Sequence, residues 1–416
     1  MKSVVPHYIA KIEGHGSLMI DFTENTAELN VHEGERLFED ILVGRSYKDG
    51  VFIPQRICGV CPTAHCIATI KALEDAFKVV PSETTRNFRK LMLAGQMIQS
   101  HALHLFFLVL PDYLKVDSAL SLAQSDPDKF KLALDLKNAG DKIVEVIGGR
   151  PVHPITPMVG GFSKLPKVKE LEELKDELLL NIENGRQVIK LFAGFEYPQI
   201  HRKNEFLSIQ SDNKYGFYGG LIASTSGEVF EIKDYKDHIS EIAKSYSTAK
   251  FGLHHKKSFM VGALARLNLH SDYLNPQTQE AVSEENIAFP SLNSFHNNLA
   301  QAVEILHFIE EGVKLIDHIL DEGIGEHKQE VKLVAGSGVG ATEAPRGTLY
   351  YAYEVDGKGI IRGCDIITPT VQNLANIEYD AEEILLESRY QQPEKRRMLL
   401  DMLVRAYDPC ITCSVH

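Results

Sequence analysis

The sequence has few cysteines, no long apolar run and no block of basic residues. Its 44 Lys and Arg residues are outnumbered by 57 Asp and Glu residues, and the net charge of −13 is spread along 416 positions. Proteins that bind nucleic acid usually carry a basic patch, so nucleic acid is not an expected partner. The uninterrupted apolar stretches are about as long as residues 105–110, whereas roughly 20 apolar residues are needed to cross a bilayer. No membrane span is therefore predicted.

An export signal is also missing from the first residues. Residues 1–7, Met-Lys-Ser-Val-Val-Pro-His, contain no apolar segment of the roughly 7 to 15 residues that marks a secreted protein. We therefore expect a cytoplasmic location, unless a partner protein carries the signal. The contents of hydrophobic residues, 44%, and of charged residues, 24%, are ordinary for a folded globular protein and argue against extended disorder.

The pattern of apolar residues predicts an α+β fold, in which a central bundle of long helices is combined with small antiparallel sheets. Alternation in residues 8–13, 17–22 and 26–31 predicts a sheet within about the first 35 residues. Helical spacing of apolar residues predicts long helices over about 84–111, 127–146, 168–193, 291–320 and 382–406. No repeat or linker divides the chain. We therefore expect a single domain over residues 1–416, with a helical body at about 80–330 and a C-terminal active-site segment at about 331–416.

Two segments rich in glycine or proline are predicted to be loops. They are residues 148–154, Gly-Gly-Arg-Pro-Val-His-Pro, and residues 336–347. Such connecting segments often carry binding residues, because a rigid scaffold holds them at its surface. We therefore expect both segments to border a functional site.

Four of the six cysteines form two Cys-x-x-Cys pairs near opposite ends of the chain, Cys58 with Cys61 and Cys410 with Cys413. Two such pairs that face each other make a four-sulfur site for a soft or borderline metal. A structural zinc is one interpretation, but zinc pairs usually lie about 15 to 20 residues apart, and 349 positions separate Cys61 from Cys410. A thioredoxin-like redox pair is a weaker interpretation, because neither pair lies in a βαβ unit.

Both pairs lie within longer motifs. Arg-x-Cys-Gly-x-Cys-x-x-x-His spans residues 56–65, and Asp-Pro-Cys-x-x-Cys-x-x-His spans residues 408–416. These motifs resemble the two signatures of nickel-iron hydrogenase large subunits, most like those of cytoplasmic multi-subunit enzymes. The resemblance covers the whole chain in order, because it continues through residues 11–15, 39–45, 343–347 and 368–370. It implies the fold of these large subunits and the reversible oxidation of H2 to protons and electrons.

The resemblance also implies a nickel-iron centre. Cys58 and Cys410 would be terminal thiolate ligands of nickel, while Cys61 and Cys413 would bridge nickel to an iron that carries carbon monoxide and cyanide. The protein positions such a centre, and the centre carries the chemistry. Further residues would surround the bridging sulfurs and the diatomic ligands: His65, Pro345, Pro369 and Thr370, with Thr370 donating a hydrogen bond to cyanide and His65 one to a sulfur.

Three catalytic residues follow from the same resemblance. Glu13, in Ile-Glu-Gly-His, would be the first proton relay beside a nickel thiolate. Arg346 would hold its guanidinium over the open metal position and orient Asp408. The alternatives from the residues alone are an ordinary glutamate at the end of a strand and an arginine in a surface salt bridge.

A second, harder metal ion is implied near the C-terminus. Glu39 lies 19 positions before Cys58, where the family has an oxygen ligand for magnesium or a similar ion. His416 and the backbone carbonyl of Ile366 would complete the protein ligands, and the remaining positions of an octahedral ion would hold water. The alternative is a glutamate without a ligand role.

One position departs from many membrane-associated and periplasmic relatives. Those proteins have an aspartate beside the arginine, from the helix that corresponds to residues 96–107, whereas the matching position here is Ser100. This departure puts in doubt any acid from that helix in the chemistry. His101 and His104 are interpreted either as core histidines at helical spacing or as members of a local hydrogen-bond network.

The two cysteines outside the pairs are too few for an electron-transfer cluster, so electrons must leave through an iron-sulfur small subunit. Further flavin or iron-sulfur subunits, a maturation protease and nickel-insertion proteins are also implied. NAD(P) is favoured as the final carrier, while ferredoxin, an electron-bifurcating assembly and a deazaflavin remain open. Since the chain stops at His416, we expect the form from which a nickel-dependent protease has removed a C-terminal extension. The alternative function is a non-catalytic structural subunit with zinc on the four cysteines.

Overall fold

The computed structural model describes residues 4–416. Long helices and small antiparallel sheets alternate along these residues, which confirms the predicted α+β class. The strands are β1 (Val4–Tyr8), β2 (Gly16–Asp21), β3 (Thr26–Val31), β4 (Pro157–Met158), β5 (Gly161–Phe162), β6 (Leu207–Gln210), β7 (Leu221–Ser224), β8 (Val229–Glu231), β9 (Ile239–Ala243), β10 (Lys250–His254), β11 (Gly336–Ala344), β12 (Gly347–Val355) and β13 (Ile361–Ile367).

The helices lie between and after these strands. They are α1 (Phe38–Leu42), α2 (Tyr47–Phe52), α3 (Pro62–Phe77), α4 (Glu83–Leu103), α5 (Leu110–Leu114), α6 (Ala119–Ser125), α7 (Pro127–Gly148), α8 (Val168–Leu180), α9 (Ile182–Ala193), α10 (Tyr235–His238), α11 (Ala263–His270), α12 (Pro276–Glu284), α13 (Asn297–Glu322), α14 (Pro369–Glu387) and α15 (Pro393–Ala406). Short 3-10 turns at Pro54–Ile57 and Thr412–Val415 each include or adjoin a cysteine of the predicted metal site.

In each sheet of the described residues, strands that follow one another along the chain pair antiparallel. The three-stranded sheets are β1-β2-β3, β6-β7-β8 and β11-β12-β13, and the two-stranded sheets are β4-β5 and β9-β10. Gly16 pairs with Val31 in the first sheet, and Gly340 pairs with Tyr351 in the last large one. Short connections suffice for such pairing.

The centre of the helical body is formed by α4, α7 and α13. Helix α4 packs on α7 and α13, and α13 also packs on α8 and α9. Together with α5 and the π-helical turn His104–Val109, α4 makes a helix over Glu83–Leu114 that is long and apolar enough to cross a membrane. Most of the apolar stretch of this helix is buried inside the structure, as in the core helix of a globular protein.

The predicted strand at residues 8–13 is wrong. Strand β1 ends at Tyr8, and the chain then turns, with Lys11 at φ 60° and Gly14 at φ 83°. Glu13 pairs instead, in a parallel bridge, with Cys410. The reason is tertiary: the C-terminal segment supplies the backbone partner that a neighbouring strand supplies elsewhere.

The predicted loop at residues 336–347 is also wrong, because it is largely strand β11 and the start of β12. Glycines on alternate positions face helix α3, where a Cβ atom on Gly338 would lie 2.1 Å from the Ala76 nitrogen and one on Gly340 would lie 2.4 Å from the Ala72 nitrogen. These glycines therefore permit close packing of a strand on a helix. The predicted loop at 148–154 is largely confirmed, since no helix or strand covers residues 149–154.

Four predicted helices have different limits. The helix predicted over 168–193 is two helices that meet at Asn181, and the one predicted over 382–406 is the end of α14 followed by α15. Helix α15 starts at Pro393 because proline fits a first turn but not a helix interior. The helix predicted to end at Pro111 continues through it, since Pro111 lies in the first turn of α5. Helix α13 starts at Asn297 rather than at 291.

Candidate active site

Four cysteines from the two ends of the chain meet in the interior. Cys58 follows the turn Pro54–Ile57, Cys61 lies at the start of α3, and Cys410 and Cys413 follow α15. Sγ of Cys58 lies 3.3 Å from Sγ of Cys410, and Sγ of Cys61 lies 3.5 Å from Sγ of Cys413. All four sulfurs lie within 4.8 Å of one another, and all four residues are buried. The expectation that the two pairs meet in space is confirmed.

The C-terminal segment is held against the N-terminal one by backbone contacts. The N–H of Ile411 donates to the carbonyl of Glu13 over 3.0 Å. Gly14 next to it has φ 83°, and a Cβ atom there would lie 2.7 Å from Cβ of Ile411, so only glycine fits this turn. Arg36, which the sequence did not single out, donates from Nη2 to the carbonyls of Ile57 and Thr412 and so joins both cysteine segments.

Glu13 has its carboxylate at this junction. The N–H of Thr412 donates to Oε2 of Glu13 over 3.1 Å, and the Thr412 hydroxyl donates to Oε1. The same hydroxyl oxygen lies 3.8 Å from Sγ of Cys410. Glu13 is thus linked to the cysteine cluster through one hydroxyl group.

Arg346 and Asp408 form a buried pair beside the four sulfurs. Nε of Arg346 donates to the carbonyl of Asp408 over 2.7 Å, and Nη2 donates to Oδ1 over 2.8 Å. Gln301 donates to the other carboxylate oxygen over 3.0 Å. Nη1 of Arg346 is buried and has no hydrogen-bond partner among residues 4–416. Arg346 lines a cavity with three of the cysteines, Cys61, Cys410 and Cys413.

The four cysteine thiols do not ionise equally, because their pKa values are shifted in opposite directions. Hydrogen bonding from the Cys410 sulfur lowers the pKa of Cys58 well below its ordinary value, and backbone N–H groups of Val60 and Cys61 also donate to the Cys58 sulfur. Burial raises the pKa of Cys410 and of Cys413 well above the ordinary value. Four thiolates so close together need a cation, and a metal ion bound by all four removes this conflict.

The remaining residues expected around the centre fall on its rim. His65 lies with Nε2 3.8 Å from Sγ of Cys413 and Nδ1 2.6 Å from the Tyr351 hydroxyl, and burial lowers the pKa of His65 to about 4, so its ring is neutral. Pro369 and Thr370 line the cavity, and the Thr370 oxygen accepts from the Cys410 N–H over 3.0 Å, which leaves the hydroxyl proton free to be donated. Ala344 and Leu349 complete the lining on this side. Pro345 does not line the cavity, and its carbonyl accepts a hydrogen bond from Arg266.

The three expected ligands of a second ion also come together. Oε1 of Glu39 accepts from the N–H of Ile366 over 2.7 Å, and Nε2 of His416 lies 2.6 Å from the Ile366 carbonyl oxygen. The carboxylate of Glu39 and the imidazole of His416 therefore both lie next to the backbone of Ile366.

Comparison with known proteins identifies the family of the chain. A family model described as nickel-dependent hydrogenase matches residues 36–133 and 199–416. The chain belongs to this family. The alpha chain of sulfhydrogenase 1 from Pyrococcus furiosus is 38% identical, and the match covers 98% of this chain and 96% of that one. The corresponding chain of the vhu F420-non-reducing hydrogenase from Methanocaldococcus jannaschii is 31% identical over 91% of this chain and 97% of that one.

A solved structure agrees with this. The crystal structure of an NAD+-reducing NiFe-hydrogenase in the H2-reduced state matches with a TM-score of 0.86 and 25% identity, over 99% of this chain and 98% of that one. The large-subunit fold of nickel-iron hydrogenases is therefore confirmed. A zinc-bound structural role is not favoured for a nickel-dependent hydrogenase.

The residues of this nickel-dependent hydrogenase fit a nickel-iron centre. Four buried sulfurs are ligands that a soft or borderline metal prefers. The buried Nη1 of Arg346 has no hydrogen-bond partner in the described residues, so a ligand of the centre would be able to accept its hydrogen bond. Both observations concern one cavity, which Arg346 lines together with cysteines of the two family motifs.

The hydrogenase also has buried polar residues that sequence reasoning missed. Gln96 holds the first cysteine turn, with its carbonyl accepting from Ala64 over 2.7 Å and its amide donating to Val60 over 3.2 Å. Arg266 lies behind the residue 343–346 segment and pairs with Glu304 and Glu343. A helical residue such as Arg266, in an apolar run, gives no signal in one sequence beyond its charge.

The helix after Gln96 carries no acid into the site at position 100. Ser100 is buried, and its hydroxyl has no hydrogen-bond partner in the described chain. His101 lies 2.8 Å from Glu304, and His104 lies 2.5 Å from Gln301. Both interpretations of these histidines therefore apply, because the two residues are buried in the core and take part in a hydrogen-bond network.

Proposed function

We propose that this chain is the catalytic large subunit of a nickel-iron hydrogenase that oxidises H2 reversibly to protons and electrons. The observation that carries the proposal is the buried cluster of four cysteine sulfurs beside the unpartnered Nη1 of Arg346. A structural zinc ion would need the four sulfurs but would not require a buried guanidinium donor at the same cavity.

The metal assignments follow the motif positions. Cys58 and Cys410 would bind nickel alone, while Cys61 and Cys413 would also bind an iron with carbon monoxide and cyanide ligands. When bound, this centre supplies a place where H2 is split and from which electrons leave. Pro369 and Thr370, which line the cavity, would surround the diatomic ligands together with Pro345, the residue before Arg346.

Arg346 would act by electrostatics. Its two bonds to Asp408 fix the guanidinium plane, so that Nη1 is held in place without a partner of its own in the described residues. A preorganised donor of this kind stabilises charge that develops during the reaction and needs no rearrangement at that moment. Asp408 is a positioning residue in this scheme.

Glu13 would take up the proton that heterolytic splitting of H2 releases. The path runs from the Cys410 sulfur, through the Thr412 hydroxyl, to the Glu13 carboxylate. A hydroxyl can accept one proton while it gives up another, so Thr412 bridges a gap that Glu13 does not span itself. The backbone bond between Glu13 and Ile411 keeps the carboxylate at this position.

Glu39, the Ile366 carbonyl and His416 would hold magnesium or a similar divalent ion. The support is their convergence from three distant parts of the chain. An ion there would brace the C-terminal turn that carries Cys413, three residues before His416. His65 would donate a hydrogen bond to a bridging sulfur, since its neutral ring can hold the proton on Nε2 while Nδ1 accepts from Tyr351.

The electrons would pass through an iron-sulfur small subunit, and then through further flavin or iron-sulfur subunits, to a soluble carrier in the cytoplasm. NAD(P) is the carrier that we propose first, because the similar solved structure is that of an NAD+-reducing enzyme. Nickel-insertion proteins and a maturation protease would complete the assembly. We also propose one domain over residues 1–416, because most buried apolar residues from Ile9 to Val415 form one contiguous cluster, beside which there is one much smaller cluster.

The test combines metal content with an infrared spectrum of the purified complex. Nickel and iron in equal amounts, with bands of metal-bound carbon monoxide and cyanide, are the expected result. Zinc alone on the four cysteines, without such bands, would contradict the proposal.

A variant tests the proton path. Glu13→Gln should leave the metal content and infrared bands unchanged but lower H2 oxidation and hydrogen-deuterium exchange by several orders of magnitude, because an amide cannot shuttle a proton. Glu24→Gln, on the exposed turn between β2 and β3, is the matched control. Normal exchange in Glu13→Gln would remove Glu13 from the path.

A further inference from the structure

A second group of possible metal ligands lies outside the hydrogenase site. Glu228 precedes β8, His238 ends α10, His254 ends β10, and His255 follows it. One ligand atom from each of these four residues can be chosen so that all lie within 4.8 Å of one another. None of the four has a part in the proposed function.

The three imidazoles converge on one carboxylate. Nδ1 of His238 lies 2.9 Å from Oε1 of Glu228, while Nε2 of His254 and Nε2 of His255 lie 3.3 Å and 3.0 Å from Oε2. Despite these distances, Nδ1 of His238 and Nε2 of His254 are buried and make no hydrogen bond among residues 4–416. His254 is only 1% exposed. Buried nitrogens without partners are rare, and here they face a common point.

The ring of His254 is oriented from its other side. Nδ1 of His254 lies 3.1 Å from Oε2 of Glu205, and Glu205 also accepts from the Ser224 hydroxyl. A proton on Nδ1 leaves the lone pair of Nε2 free. Histidines that bind metals usually donate their second N–H to a carboxylate in this way. His238 is fixed by Phe230, whose ring stacks on it at 3.9 Å between centroids.

The two adjacent histidines are brought together by a tight turn. Backbone bonds of 2.9 Å run in both directions between His254 and Lys257. The two residues between them, His255 and Lys256, have φ 45° and φ 65°. Glycine and asparagine are the usual residues in such a turn. Both residues therefore adopt the left-handed conformation at some energetic cost, and this turn keeps His255 beside Glu228.

We propose that His238, His254, His255 and Glu228 bind a divalent transition-metal ion of the kind that prefers imidazole ligands, with Zn²⁺ as its representative. Three imidazoles and one carboxylate are a donor set that zinc binds tetrahedrally. The ion would tie together the start of β8, the end of α10 and the β9–β10 hairpin. It would be a partner for the buried nitrogens of His238 and His254, which have none among residues 4–416.

The test measures zinc binding by the assembled hydrogenase complex. The complex is dialysed against a chelator and then against Zn²⁺, and zinc is counted relative to nickel. We expect one zinc ion per nickel, with nitrogen and oxygen ligands only in its X-ray absorption spectrum. Zinc bound to sulfur would instead report loss of nickel from the four cysteines, which would concern the proposed function and not this site.

Variants assign the ligands. His255→Gln, at an exposed position, and His254→Gln should each weaken zinc binding at least about 100-fold, while Glu205→Gln should weaken it about 10-fold to 100-fold with unchanged stoichiometry. His318→Gln is the control, because His318 is a surface histidine that lies near Glu83 and outside the cluster. The zinc-dependent rise in melting temperature should disappear in the first two variants and persist in the control.

Two results would overturn the proposal. One is a wild-type complex that takes up no zinc with nitrogen and oxygen ligands. The other is a His255→Gln variant, folded by its melting curve, that binds zinc as tightly as the wild type. Either result would leave the four residues as a cluster of imidazoles around Glu228 without a metal ion.

Discussion

Arg266 and Arg346 are both buried and both paired with acids, but they differ in how many nitrogens have partners. Nε and Nη2 of Arg266 donate to Glu304, Nη1 donates to Glu343, and two backbone carbonyls accept as well. Arg346 uses only Nε and Nη2, both on Asp408, and its Nη1 has no partner in the described residues. One arginine is saturated and the other keeps one donor free.

This difference suits two different roles. A buried donor without a partner costs about 1 to 3 kcal/mol, so the fully paired guanidinium of Arg266 suits a residue that supports the fold. Arg266 also holds the backbone that leads into Arg346. Arg346 lines the cavity of the cysteine cluster, and a ligand bound there would be a partner for its free donor.

The largest effect is expected from breaking the saturated network. Arg266→Met should lower the free energy of unfolding by about 3 to 5 kcal/mol, because it leaves two carboxylates buried without their cation. The measurement is a denaturant titration of the complex. Arg186→Met, which removes a partly exposed pair with Glu280, is the control and should cost at most about 1 kcal/mol. Equal midpoints for the two variants would show that the Arg266 network does not support the fold.

A smaller effect, in turnover, is expected at the unsaturated arginine. Arg346→Lys keeps the charge but loses the planar fork, so H2 turnover should fall about 100-fold with nickel and iron still bound. Arg405→Lys changes a buried arginine that pairs with Asp112 and does not line the cavity. Its turnover should stay near that of the wild type. If both variants keep full turnover, the free Nη1 has no part in the reaction.

Gln301 offers a way to loosen Arg346 without touching it. Gln301→Met removes the 3.0 Å bond to Asp408 and the 2.5 Å contact with His104, and we expect turnover to fall about tenfold, which corresponds to about 1.4 kcal/mol. The Michaelis constant and the metal content should stay the same, since the change acts through Asp408. Gln99→Met, at another buried glutamine, is the control. A parallel loss of nickel would instead assign Gln301 a role in holding the centre.

The smallest effect is expected at the edge of the saturated network. Thr348→Val removes a hydroxyl that donates to Glu343 over 2.5 Å, while Arg266 and the N–H of Ile209 still donate to that carboxylate. The free energy of unfolding should fall by about 1 kcal/mol with unchanged turnover. Thermal unfolding and an H2 uptake assay measure the two quantities. A tenfold loss of turnover would show that the two arginine networks are coupled.

The motif residues were predictable because each motif is local. Cys58 and Cys61 lie three positions apart, as do Cys410 and Cys413. This spacing indicates that both sulfurs of a pair can bind one ion. Glu13 and Arg346 were found in the same way, from short motifs around them. The structure brings all of them together, while their roles in the reaction remain predictions.

Other features could not be predicted, because distant packing decides them. The glycines of β11 look like those of a loop until helix α3 is placed against them. Arg266 and Glu304 are 38 positions apart, and no local pattern shows that they pair. The histidine cluster draws its residues from three elements, of which only the pair His254 and His255 is visible as adjacent in the sequence.

The backbone bridge between Glu13 and Cys410 has a consequence for the order of events during synthesis. A chain emerges from the ribosome N-terminus first, and early parts of it begin to fold before later parts exist. The cysteine cluster cannot close until position 413 has been made and has returned to residues 13 and 58. A metal ion that needs all four sulfurs can therefore be enclosed only after almost the whole chain has been made, when the helical body has had time to form.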